Sequence, residues 1–289
     1  MRVLVTGAAG MVGRATLALL AGEGVRTTAL VLDKPPDGLP ADRTVVGDAG
    51  DVDTVVDALR GVEAVVHLAA IPSPNLGSPQ DVFGRNSLAT FVVLDQAGRH
   101  GVGTAAIASS YAICGLPFAA HPLTMPYLPV DRHLPLQIAD PYALSKHADE
   151  ATAEMVARRY GMRVVSLRYP FIGTPEKRLP ARAAVLAADP ARGAADVWSY
   201  LDARDAARAA WLSLCAGGAG AEVVYVAAPE TLAPFPTEWL LDRFHAGVPR
   251  RTTHPGRAVP IELGHARDLL GFTAQHVWPV TARTAPEDL

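Results

Sequence analysis

The first thirteen residues of the chain constrain its fold more than any other stretch. Arg2–Thr6 is a short apolar run with β-branched residues, and an Ala/Leu-rich segment begins at Arg14. Between them, Gly7, Gly10 and Gly13 stand three residues apart. This order predicts a strand, a tight turn and a helix over 14–21, and glycines in such a turn leave room for a dinucleotide pyrophosphate at the helix N-terminus. The spacing matches the G-x-G-x-x-G pattern only loosely, so an ordinary turn is the alternative.

Length and composition bound the class of protein. A chain of 289 residues is long enough for one main domain with an appendage. It is 49% apolar and 19% charged with a net charge of −3, which predicts no binding to nucleic acid or to a membrane surface. We find neither a leader segment nor an apolar run long enough to cross a bilayer, and expect a cytoplasmic protein. Cys114 and Cys215 lack metal-type partners, so we expect structural cysteines in a reducing compartment, no disulfide and no metal site.

Strands and helices alternate after the first helix. Apolar runs predict strands over 26–32, 45–48 and 62–68, and a helical pattern of acids and apolar residues covers 51–59. Together with the first strand and helix, this order predicts an α/β fold of the Rossmann type. Its doubly wound parallel sheet would bind ligand at the carboxyl ends of the strands.

Two acidic residues close predicted strands at that edge. A carboxylate at Asp33, after the second strand, would accept both hydroxyls of an adenosine ribose and repel a 2′-phosphate, which favours NAD over NADP. The neighbouring Lys34 weakens that preference, and a solvated loop aspartate is the alternative. Asp48, after the third strand, either accepts from the adenine amino group or caps a turn before Asp51.

Small and polar residues follow the fourth strand. Ala69 and Ala70 allow the backbone to pass close to a cofactor, and the proline-rich loop 71–79 contains Ser73, which is either a substrate contact or a plain loop serine. A long helix is predicted over 78–100, where Asn86 either satisfies backbone or water near the site or lies on the exposed side. The apolar stripe of this helix is predicted to consist of Val82, Phe83, Leu88, Phe91, Val92 and Leu94.

The fifth strand, over 104–108, is followed by the polar residues Ser109, Ser110 and Tyr111. Side chains directly after a buried strand of an open parallel sheet face the cleft. After the glycine turn, these residues are therefore the second candidate part of an active site. The proline-rich connection over 116–139 comes next, and we expect a loop of this length to cover something.

The next helix carries a tyrosine and a lysine one turn apart. Asp140 is its predicted N-cap, Pro141 its first residue, and it runs to about residue 160. Tyr142 and Lys146 share one face. A phenol has an ordinary pKa of roughly 10, and a nearby ammonium together with an oxidised nicotinamide would favour its ionised form. The pair is therefore a candidate acid/base device, with an accidental pair on an exposed helix as the alternative.

Taken jointly, these motifs resemble the extended short-chain dehydrogenase/reductase superfamily, the group of NAD-dependent sugar epimerases and dehydratases. The resemblance covers roughly residues 1–215. The motifs that carry it are Thr6-Gly7-Ala8-Ala9-Gly10-Met11-Val12-Gly13, Asp33, Asp48, Ala108-Ser109-Ser110 and Tyr142-Ala143-Leu144-Ser145-Lys146.

The resemblance implies roles for individual residues. Tyr142 would be the general acid/base, Lys146 would hold the ribose and tune Tyr142, and Ser110 would hydrogen-bond the reacting oxygen. The residues implied to bind NAD are Gly7, Gly10, Met11, Val12, Gly13, Asp33, Asp48, Ala49, Leu68, Ala69, Ala70, Asn86, Tyr142 and Lys146. The residues implied to contact substrate are Ser73, Ser110, Tyr111, Tyr142, Arg178 and Arg182.

Departures from the superfamily pattern narrow the chemistry. The 4,6-dehydratases carry an Asp-Glu pair where this chain has Tyr111 and Ala112, so elimination by that route lacks its acid and base. In this chain the sixth strand is predicted over 163–168. Members that bind nucleotide sugars have a long segment after this strand that binds the nucleotide. In this chain only about thirty residues separate Pro170 from 198–202, which leaves little space for a nucleotide diphosphate.

The compact uronate dehydrogenase branch is the more similar one. It has a comparable Thr174-Pro175-Glu176 and a downstream arginine that binds the substrate carboxylate. Arg178 or Arg182 would serve here, with an arginine on a mobile surface loop as the alternative. Tyr111 stands where that branch has an asparagine, so a different substrate is expected.

The remainder of the chain predicts a helix over 203–214, a strand over 222–226 and a short helix over 264–271. We therefore divide the chain into an NAD-binding domain, residues 1–168 with a strand and helix from about 203–228, and a small irregular substrate lobe, residues 169–202 and 229–289. The resemblance also implies a homodimer formed through helices 78–100 and 141–160.

Three functions stay open on the sequence alone. The first is an NAD-dependent oxidoreductase that acts on a hydroxyl or carbonyl of a small sugar-like compound. The second is an epimerase of sugars or nucleotide sugars that retains its NAD. The third is an NAD(P)-binding sensor without catalysis, against which the joint presence of Ser110, Tyr142 and Lys146 argues.

Overall fold

The computed structural model describes residues 1–35 and 37–283. In this part of the chain, strands and helices alternate over the first two thirds, as the sequence predicts. The strands are β1 (Arg2–Thr6), β2 (Arg26–Val31), β3 (Arg43–Val46), β4 (Ala64–His67), β5 (Thr104–Ser110), β6 (Arg163–Tyr169), β7 (Phe171–Gly173), β8 (Tyr200–Asp202) and β9 (Ala221–Tyr225). The helices are α1 (Met11–Gly22), α2 (Val52–Ala58), α3 (Pro79–Arg99), α4 (Pro141–Tyr160), α5 (Arg178–Ala188), α6 (Ala203–Cys215), α7 (Thr237–Phe244) and α8 (Gly264–Leu270).

Seven of the strands form one parallel sheet in the order β3-β2-β1-β4-β5-β6-β9. The order reverses direction between β1 and β4, where Val5 pairs with Ala29 on one side and Val66 on the other. The chain leaves the carboxyl ends of these two strands in opposite directions, towards β2 and towards β5, and the crevice formed at that point is where open α/β sheets bind ligands. The predicted doubly wound Rossmann fold is confirmed.

Helices cover both faces of this sheet because its strands are apolar on both sides. Val3 and Val5 pack with Leu17 of α1 in a core that also includes α6 and α8. Leu4, between them, points to the opposite face and packs in the core formed with α2, α3 and α4. The central strands β1, β2, β4, β5 and β6 therefore contribute to two cores, which fixes the positions of their carboxyl ends and of the loops that follow.

A third core lies beyond the carboxyl ends of the strands. It contains the two-stranded parallel sheet β7-β8, the helices α5 and α7, and the connection 116–139. That connection is anchored by backbone hydrogen bonds from Leu128 to Pro249 and from Val130 to Pro260. The predicted domain division stays a prediction, and its last six residues, 284–289, lie outside the described residues.

Several local expectations change. The first helix begins at Met11, not at residue 14, because Gly10 is its N-cap. Strand β5 continues through Ser109 and Ser110, which we expected after its end. The tail, which shows no clear periodicity in sequence, contains α7, and α5 occupies the segment for which a mobile surface loop was the alternative.

The predicted apolar stripe of α3 is partly wrong. Val82, Val92 and Leu94 are buried as predicted. In contrast, Phe83, Leu88 and Phe91 are 37%, 53% and 46% exposed. Since α3 packs along α4, its buried face uses small residues such as Ala89 and Thr90 that allow close approach, and the larger side chains face outward.

Within residues 1–35 and 37–283, every helix is too short or too polar to cross a membrane. Both cysteines are unpaired: Cys114 is buried and Cys215 is exposed.

Candidate active site

The glycine turn brings the N-terminus of α1 against the end of β4. Gly7 has a φ of 61°, and a Cβ at this position would lie 2.8 Å from backbone atoms of Leu68 and Ala69. A Cβ on Gly13 would lie 2.3 Å from the Gly7 carbonyl oxygen. Gly10, the N-cap of α1, has no side chain to bond the first N–H groups of the helix, so among the described residues these groups stay free for an anion. The turn therefore fits the pyrophosphate of a dinucleotide.

A cavity of about 980 Å³ opens at this turn and extends beneath the third core. It joins the glycine turn to the tyrosine and lysine of α4. The predicted site residues that line it are Gly7, Gly10, Met11, Val12, Gly13, Leu68, Ala69, Ala70, Ser73, Ser110, Tyr111, Tyr142, Lys146, Arg178 and Arg182. Most of the predicted site thus meets in one cavity, although the residues come from five separate segments.

Four of the predicted cofactor residues do not line the cavity, and three of them, Asp33, Asp48 and Ala49, follow β2 and β3. Asp33 is exposed two residues after β2. Asp48 accepts a hydrogen bond from the Gly50 amide at 2.8 Å and pairs with Arg85 at 3.2 Å, so the structure supports its role as a turn cap. Ala49 is buried. Direct cofactor contact by Asp33, Asp48 and Ala49 stays a prediction.

Asn86 is buried, so the alternative that it lies on the exposed side of α3 is wrong. Its side-chain oxygen accepts from the Ile71 amide at 2.7 Å. Its side-chain NH₂ group donates to the Ile71 carbonyl and to the Ser145 hydroxyl, both at 3.1 Å. Asn86 therefore satisfies backbone groups and ties the loop after β4 to α4. It does not line the cavity, and its contact with the cofactor stays a prediction.

The start of α4 holds Tyr142 in place. The Asp140 carboxylate accepts from the amides of Tyr142 and Ala143, each at 2.9 Å, which confirms the predicted N-cap. The Tyr142 ring is largely buried, and Phe118 from the connection 116–139 packs edge-on against it at a centroid distance of 6.0 Å. The Lys146 ammonium lies 5.8 Å from the centroid of the Tyr142 ring. The two side chains therefore share one face of α4, at the cavity wall.

Ser110 lies at the end of β5, on the same cavity wall as Tyr142. Its hydroxyl oxygen accepts from the Ala112 amide at 3.1 Å and so caps the short 3₁₀ helix Tyr111–Cys114. In the described part of the chain, its hydroxyl hydrogen has no protein acceptor. That hydrogen is therefore available to an oxygen atom of a bound substrate.

Lys146 forms a buried ion pair that the sequence analysis missed. Its ammonium donates to the Asp149 carboxylate at 3.0 Å, and both side chains are at most 3% exposed. Burial lowers the pKa of Lys146, but Asp149, Tyr142 and Glu150 raise it, and the net pKa lies above the usual value. The spacing of three residues on one helix face is the signal that could have pointed to this pair.

His67, at the end of β4, connects the glycine turn with α3. Its Nδ1 lies 2.8 Å from the Thr6 hydroxyl and its Nε2 lies 3.1 Å from the Thr90 hydroxyl. Burial first, and then the charge of Lys146, lower the pKa of His67 to about 3. The imidazole is therefore neutral near pH 7 and acts as a bridge in the hydrogen-bond network.

A second buried ion pair fixes α4 to the sheet. The Arg168 guanidinium of β6 donates to both oxygens of Glu150, at 2.9 and 2.8 Å. The Ser109 hydroxyl donates to the same carboxylate at 2.6 Å. Glu150 thus bonds to both β5 and β6, which sets the distance between the Tyr142 helix and the strand that carries Ser110. The sequence analysis did not single out Glu150 or Arg168.

The far end of the cavity is basic. Arg178 and Arg182 lie on α5 and stack over the Phe171 ring, at 4.9 and 5.7 Å from its centroid. The alternative that they sit on a surface loop is wrong, because this segment is helical. Arg192 also lines the cavity.

Asp196 is the acidic residue of this end. It accepts from Arg182 at 2.9 Å, and its other carboxylate oxygen is buried without a hydrogen-bond partner in the described residues. Burial raises the pKa of Asp196 to about 6, although Arg182 opposes the rise. The next two residues, Val197 and Trp198, have φ values of 45° and 53°, a strained turn that buries Trp198 while Asp196 lines the cavity.

Two predicted substrate residues have structural contacts as well. Tyr111 is 2% exposed and packs edge-on against Tyr225 at 6.3 Å, and its hydroxyl has no hydrogen-bond partner in the described residues. Burial raises its pKa well above the usual value, so the phenol is neutral. Ser73 accepts from the Asn75 amide at 3.2 Å and caps a short 3₁₀ helix. Both residues line the cavity, and their contact with substrate stays a prediction.

Known proteins provide an independent comparison. UDP-glucose 4-epimerase of Corynebacterium glutamicum is 30% identical over 176 residues, which cover 58% of this chain and 50% of the epimerase. Uronate dehydrogenase of Pseudomonas putida is 29% identical over 169 residues, which cover 58% of this chain and 59% of that enzyme. The aligned segments thus span little more than half the length of these curated relatives.

A solved structure matches over more of its length. A short-chain dehydrogenase/reductase superfamily protein from Agrobacterium tumefaciens with bound NAD has a TM-score of 0.72 at 25% identity, covering 96% of this chain and 93% of that chain. The predicted resemblance to the extended superfamily is confirmed. The profile of the NAD dependent epimerase/dehydratase family matches residues 3–227, and the chain belongs to that family.

Proposed function

We propose that the protein is an NAD-dependent oxidoreductase that transfers hydride between NAD and a hydroxyl or carbonyl group of a small, sugar-like substrate. The observation that carries the proposal is one cavity lined at once by the glycine turn, Ser110, Tyr142 and Lys146. A substrate bound in this cavity can therefore contact the cofactor, the acid/base Tyr142 and the hydrogen-bond donor Ser110 at the same time.

Each of these residues has a distinct part in the reaction. Bound NAD supplies the hydride acceptor. Tyr142 takes the proton of the substrate hydroxyl as general base, and the ammonium of Lys146 favours the ionised form of the phenol. The free hydroxyl hydrogen of Ser110 stabilises the negative charge that develops on the reacting oxygen. In the reverse direction Tyr142 returns the proton.

The substrate is proposed to be small and anionic. A cavity of about 980 Å³ is at the upper end of the range of roughly 300–1,000 Å³ for one small-molecule ligand, and here it has to hold a dinucleotide as well. Arg178, Arg182 and Arg192 line the end away from the glycine turn and present guanidinium donors that suit a carboxylate. A sugar acid satisfies both conditions, and the similarity to a uronate dehydrogenase supports this substrate class.

An epimerase that retains NAD is the second candidate. The similarity to a UDP-glucose 4-epimerase, at an identity close to that of the dehydrogenase, favours it. Such an enzyme would oxidise a sugar carbon and reduce it again from the other face, with the same roles for Tyr142 and Ser110. The short segment between β6 and β8, residues 170–199, argues against a nucleotide-sugar substrate because it leaves little chain to enclose a nucleotide.

One experiment separates the two candidates. The purified protein is incubated with NAD and a panel of free sugars, hexuronates and nucleotide sugars, NADH absorbance is recorded, and the products are analysed. Stoichiometric NADH with a hexuronate supports the dehydrogenase. Inversion of a stereocentre without net NADH supports the epimerase, and no reaction across the panel contradicts both candidates for these substrate classes.

We further propose that the protein is a cytoplasmic homodimer. The outward side chains Phe83 and Phe91 of α3 and Leu144 of α4 are 37%, 46% and 44% exposed, and large apolar side chains clustered on two packed helices are typical of an interface. The two unpaired cysteines, Cys114 and Cys215, are compatible with a reducing compartment.

A further inference from the structure

Asp149 is placed to control the charge of Lys146. It lies three residues after the lysine on α4, its Oδ2 accepts from the lysine ammonium at 3.0 Å, and the two side chains are 1% and 3% exposed. An ion pair this deeply buried is costly to form and much more costly to leave with one partner alone. Because an apolar residue at this position would cost less stability, the carboxylate indicates a function other than stabilising the fold.

The other charged or titratable groups that face Lys146 cannot replace Asp149. Glu150, on the same helix, has both carboxylate oxygens bonded to Arg168. His67 of β4 is neutral, as its depressed pKa of about 3 requires. Tyr142 is the group on which the lysine acts. In the described part of the chain, Asp149 is thus the one acceptor that bonds the Lys146 ammonium.

The Lys146 ammonium is the main group that offsets the burial of Asp149. Burial raises the pKa of the Asp149 carboxyl, the Lys146 ammonium and then the nearby Thr90 hydroxyl of α3 lower it, and the net pKa lies above the usual value. Its Oδ1 has no hydrogen-bond partner within the described residues. Since the carboxylate has few other donors, the ammonium is its principal partner, and each charge depends on the other.

We propose that Asp149 is a positioning residue that keeps Lys146 protonated and fixes its ammonium beside Tyr142 at the pH where the enzyme works. The proposal rests on the proposed function, in which Lys146 favours the ionised phenol of Tyr142. Without Asp149, the ammonium would be buried with no acceptor among the described groups, and burial alone favours the neutral amine. The lysine would then lose its proton in the working pH range.

The lysine content of the chain makes a direct measurement possible. Lys34, Lys146 and Lys177 are its three lysines, and Lys34 and Lys177 are exposed. Protein labelled with ¹³C-lysine and free of cofactor therefore gives three Cε signals, and K146R identifies the buried one. In the native chain we expect the Lys146 signal to titrate above the ordinary lysine pKa of about 10.4. Titration below that value would overturn the proposal, and this result needs no variant of Asp149 to fold.

Asp149→Asn tests the cause. This variant keeps the shape of the side chain and removes its charge, and we expect the Lys146 titration midpoint to fall by roughly two pH units or more. Asp149→Glu, which keeps a carboxylate, is expected to bring the Lys146 midpoint most of the way back to the native value. Glu154→Gln on the exposed side of the same helix is the matched control and should leave the midpoint unchanged. An unchanged midpoint in D149N would refute the proposal.

The pH profile of hydride transfer distinguishes this proposal from the proposed function. In D149N we expect activity to fall on the alkaline side at a pH about two units lower than in the native enzyme, as Lys146 deprotonates. A profile that shifts only on its acidic side would contradict the proposal. Asp149 would then reduce the effect of the Lys146 charge on Tyr142 without keeping Lys146 protonated. Full activity of Y142F, in contrast, would defeat the acid/base role of Tyr142, and absence of hydride transfer in the native enzyme would defeat the proposed function itself.

Discussion

The guanidinium of Arg168 and the carboxylate of Glu150 form two parallel hydrogen bonds, of 2.9 and 2.8 Å, between β6 and the middle of α4. The two side chains are 4% and 8% exposed. This bidentate pair joins the helix that carries Tyr142 to the sheet that carries Ser110. Neither residue reaches the reacting atoms, yet together they fix the geometry between the groups that do.

The first prediction concerns this pair. Arg168→Ala leaves the Glu150 carboxylate buried without its charged partner, and we expect it to lower the free energy of unfolding by about 3–5 kcal/mol. Urea unfolding followed by circular dichroism measures the change. Arg158→Ala on the same helix removes an exposed pair with Glu154 and should leave the unfolding midpoint unchanged. Equal midpoints for R168A and R158A would contradict the stabilising role of the buried pair.

The second prediction tests the acid/base. Tyr142→Phe removes the phenol oxygen, and turnover is expected to fall by about 10²–10⁴, the usual contribution of general acid/base catalysis. NAD affinity, measured by calorimetry, should change little because the phenyl ring still fills the cavity wall. Tyr160→Phe at the other end of α4 is the control, since that hydroxyl donates to Asp95 away from the cavity. Undiminished turnover in Y142F would exclude Tyr142 as the acid/base in both candidate mechanisms.

The third prediction concerns the glycine turn. Gly13→Ala introduces a Cβ that would lie 2.3 Å from the Gly7 carbonyl oxygen, and the backbone atoms around it have no room to yield. We expect strain of about 1–3 kcal/mol and a displaced turn. NAD affinity should fall by about tenfold, which corresponds to about 1.4 kcal/mol.

Gly22 offers the matched control for that experiment. It is the last residue of α1, and a Cβ there meets no atom within 4 Å in the described structure. Gly22→Ala is therefore expected to preserve NAD affinity and to leave stability equal or slightly higher. A G13A protein that binds NAD as tightly as G22A would show that the turn does not contact the cofactor.

Local signals in the sequence account for the parts of the site that were predicted. The glycine spacing after β1 and the Asp140-Pro141 start of α4 depend on a few neighbouring residues, so their structures follow from the chain itself. Tyr142 and Lys146 were placed together for the same reason. The order of strands and helices then determined which edge of the sheet collects these residues.

The missed residues depend on tertiary packing instead. Asp149 is buried beside Thr90 of α3, and Asp196 accepts from Arg182, which lies fourteen residues earlier in the chain. Phe83 was assigned to the buried stripe because apolar periodicity does not say which side of α3 a neighbouring helix will cover. Burial and partner choice of this kind are not encoded in short segments.

The fourth prediction tests the proposed dimer. Phe91→Glu places a charge among the exposed apolar side chains of α3, and burying it between two copies would be unfavourable. We expect the molar mass from light scattering to fall from that of a dimer to that of a monomer. Val277→Glu, at an apolar residue that is 39% exposed outside α3 and α4, should leave the mass unchanged. A native protein that is already monomeric would reject the dimer.

The fifth prediction follows from the raised pKa of Asp196, which burial brings to about 6. Since the folded-state pKa lies above the ordinary value of about 3.9, the folded protein binds the proton more tightly than the unfolded chain. Stability contributed by this group is therefore present at low pH and is lost as the pH rises through about 6. The same protonation removes a negative charge from the basic end of the cavity and releases Arg182 from its ion pair.

An anionic substrate should respond to that change. With a hexuronate as probe, we expect the Michaelis constant of the native enzyme to fall as the pH decreases from 7.5 to 5.5, by up to about tenfold per pH unit while Asp196 is mostly ionised. In Asp196→Asn the position is neutral throughout, so the constant should be low and nearly independent of pH in this window. Asp242→Asn, at an exposed carboxylate of the same lobe, should keep the native slope. If D196N retains that slope too, another group titrates in the cavity, and the pairing of Asp196 with Arg182 does not control access of the anion.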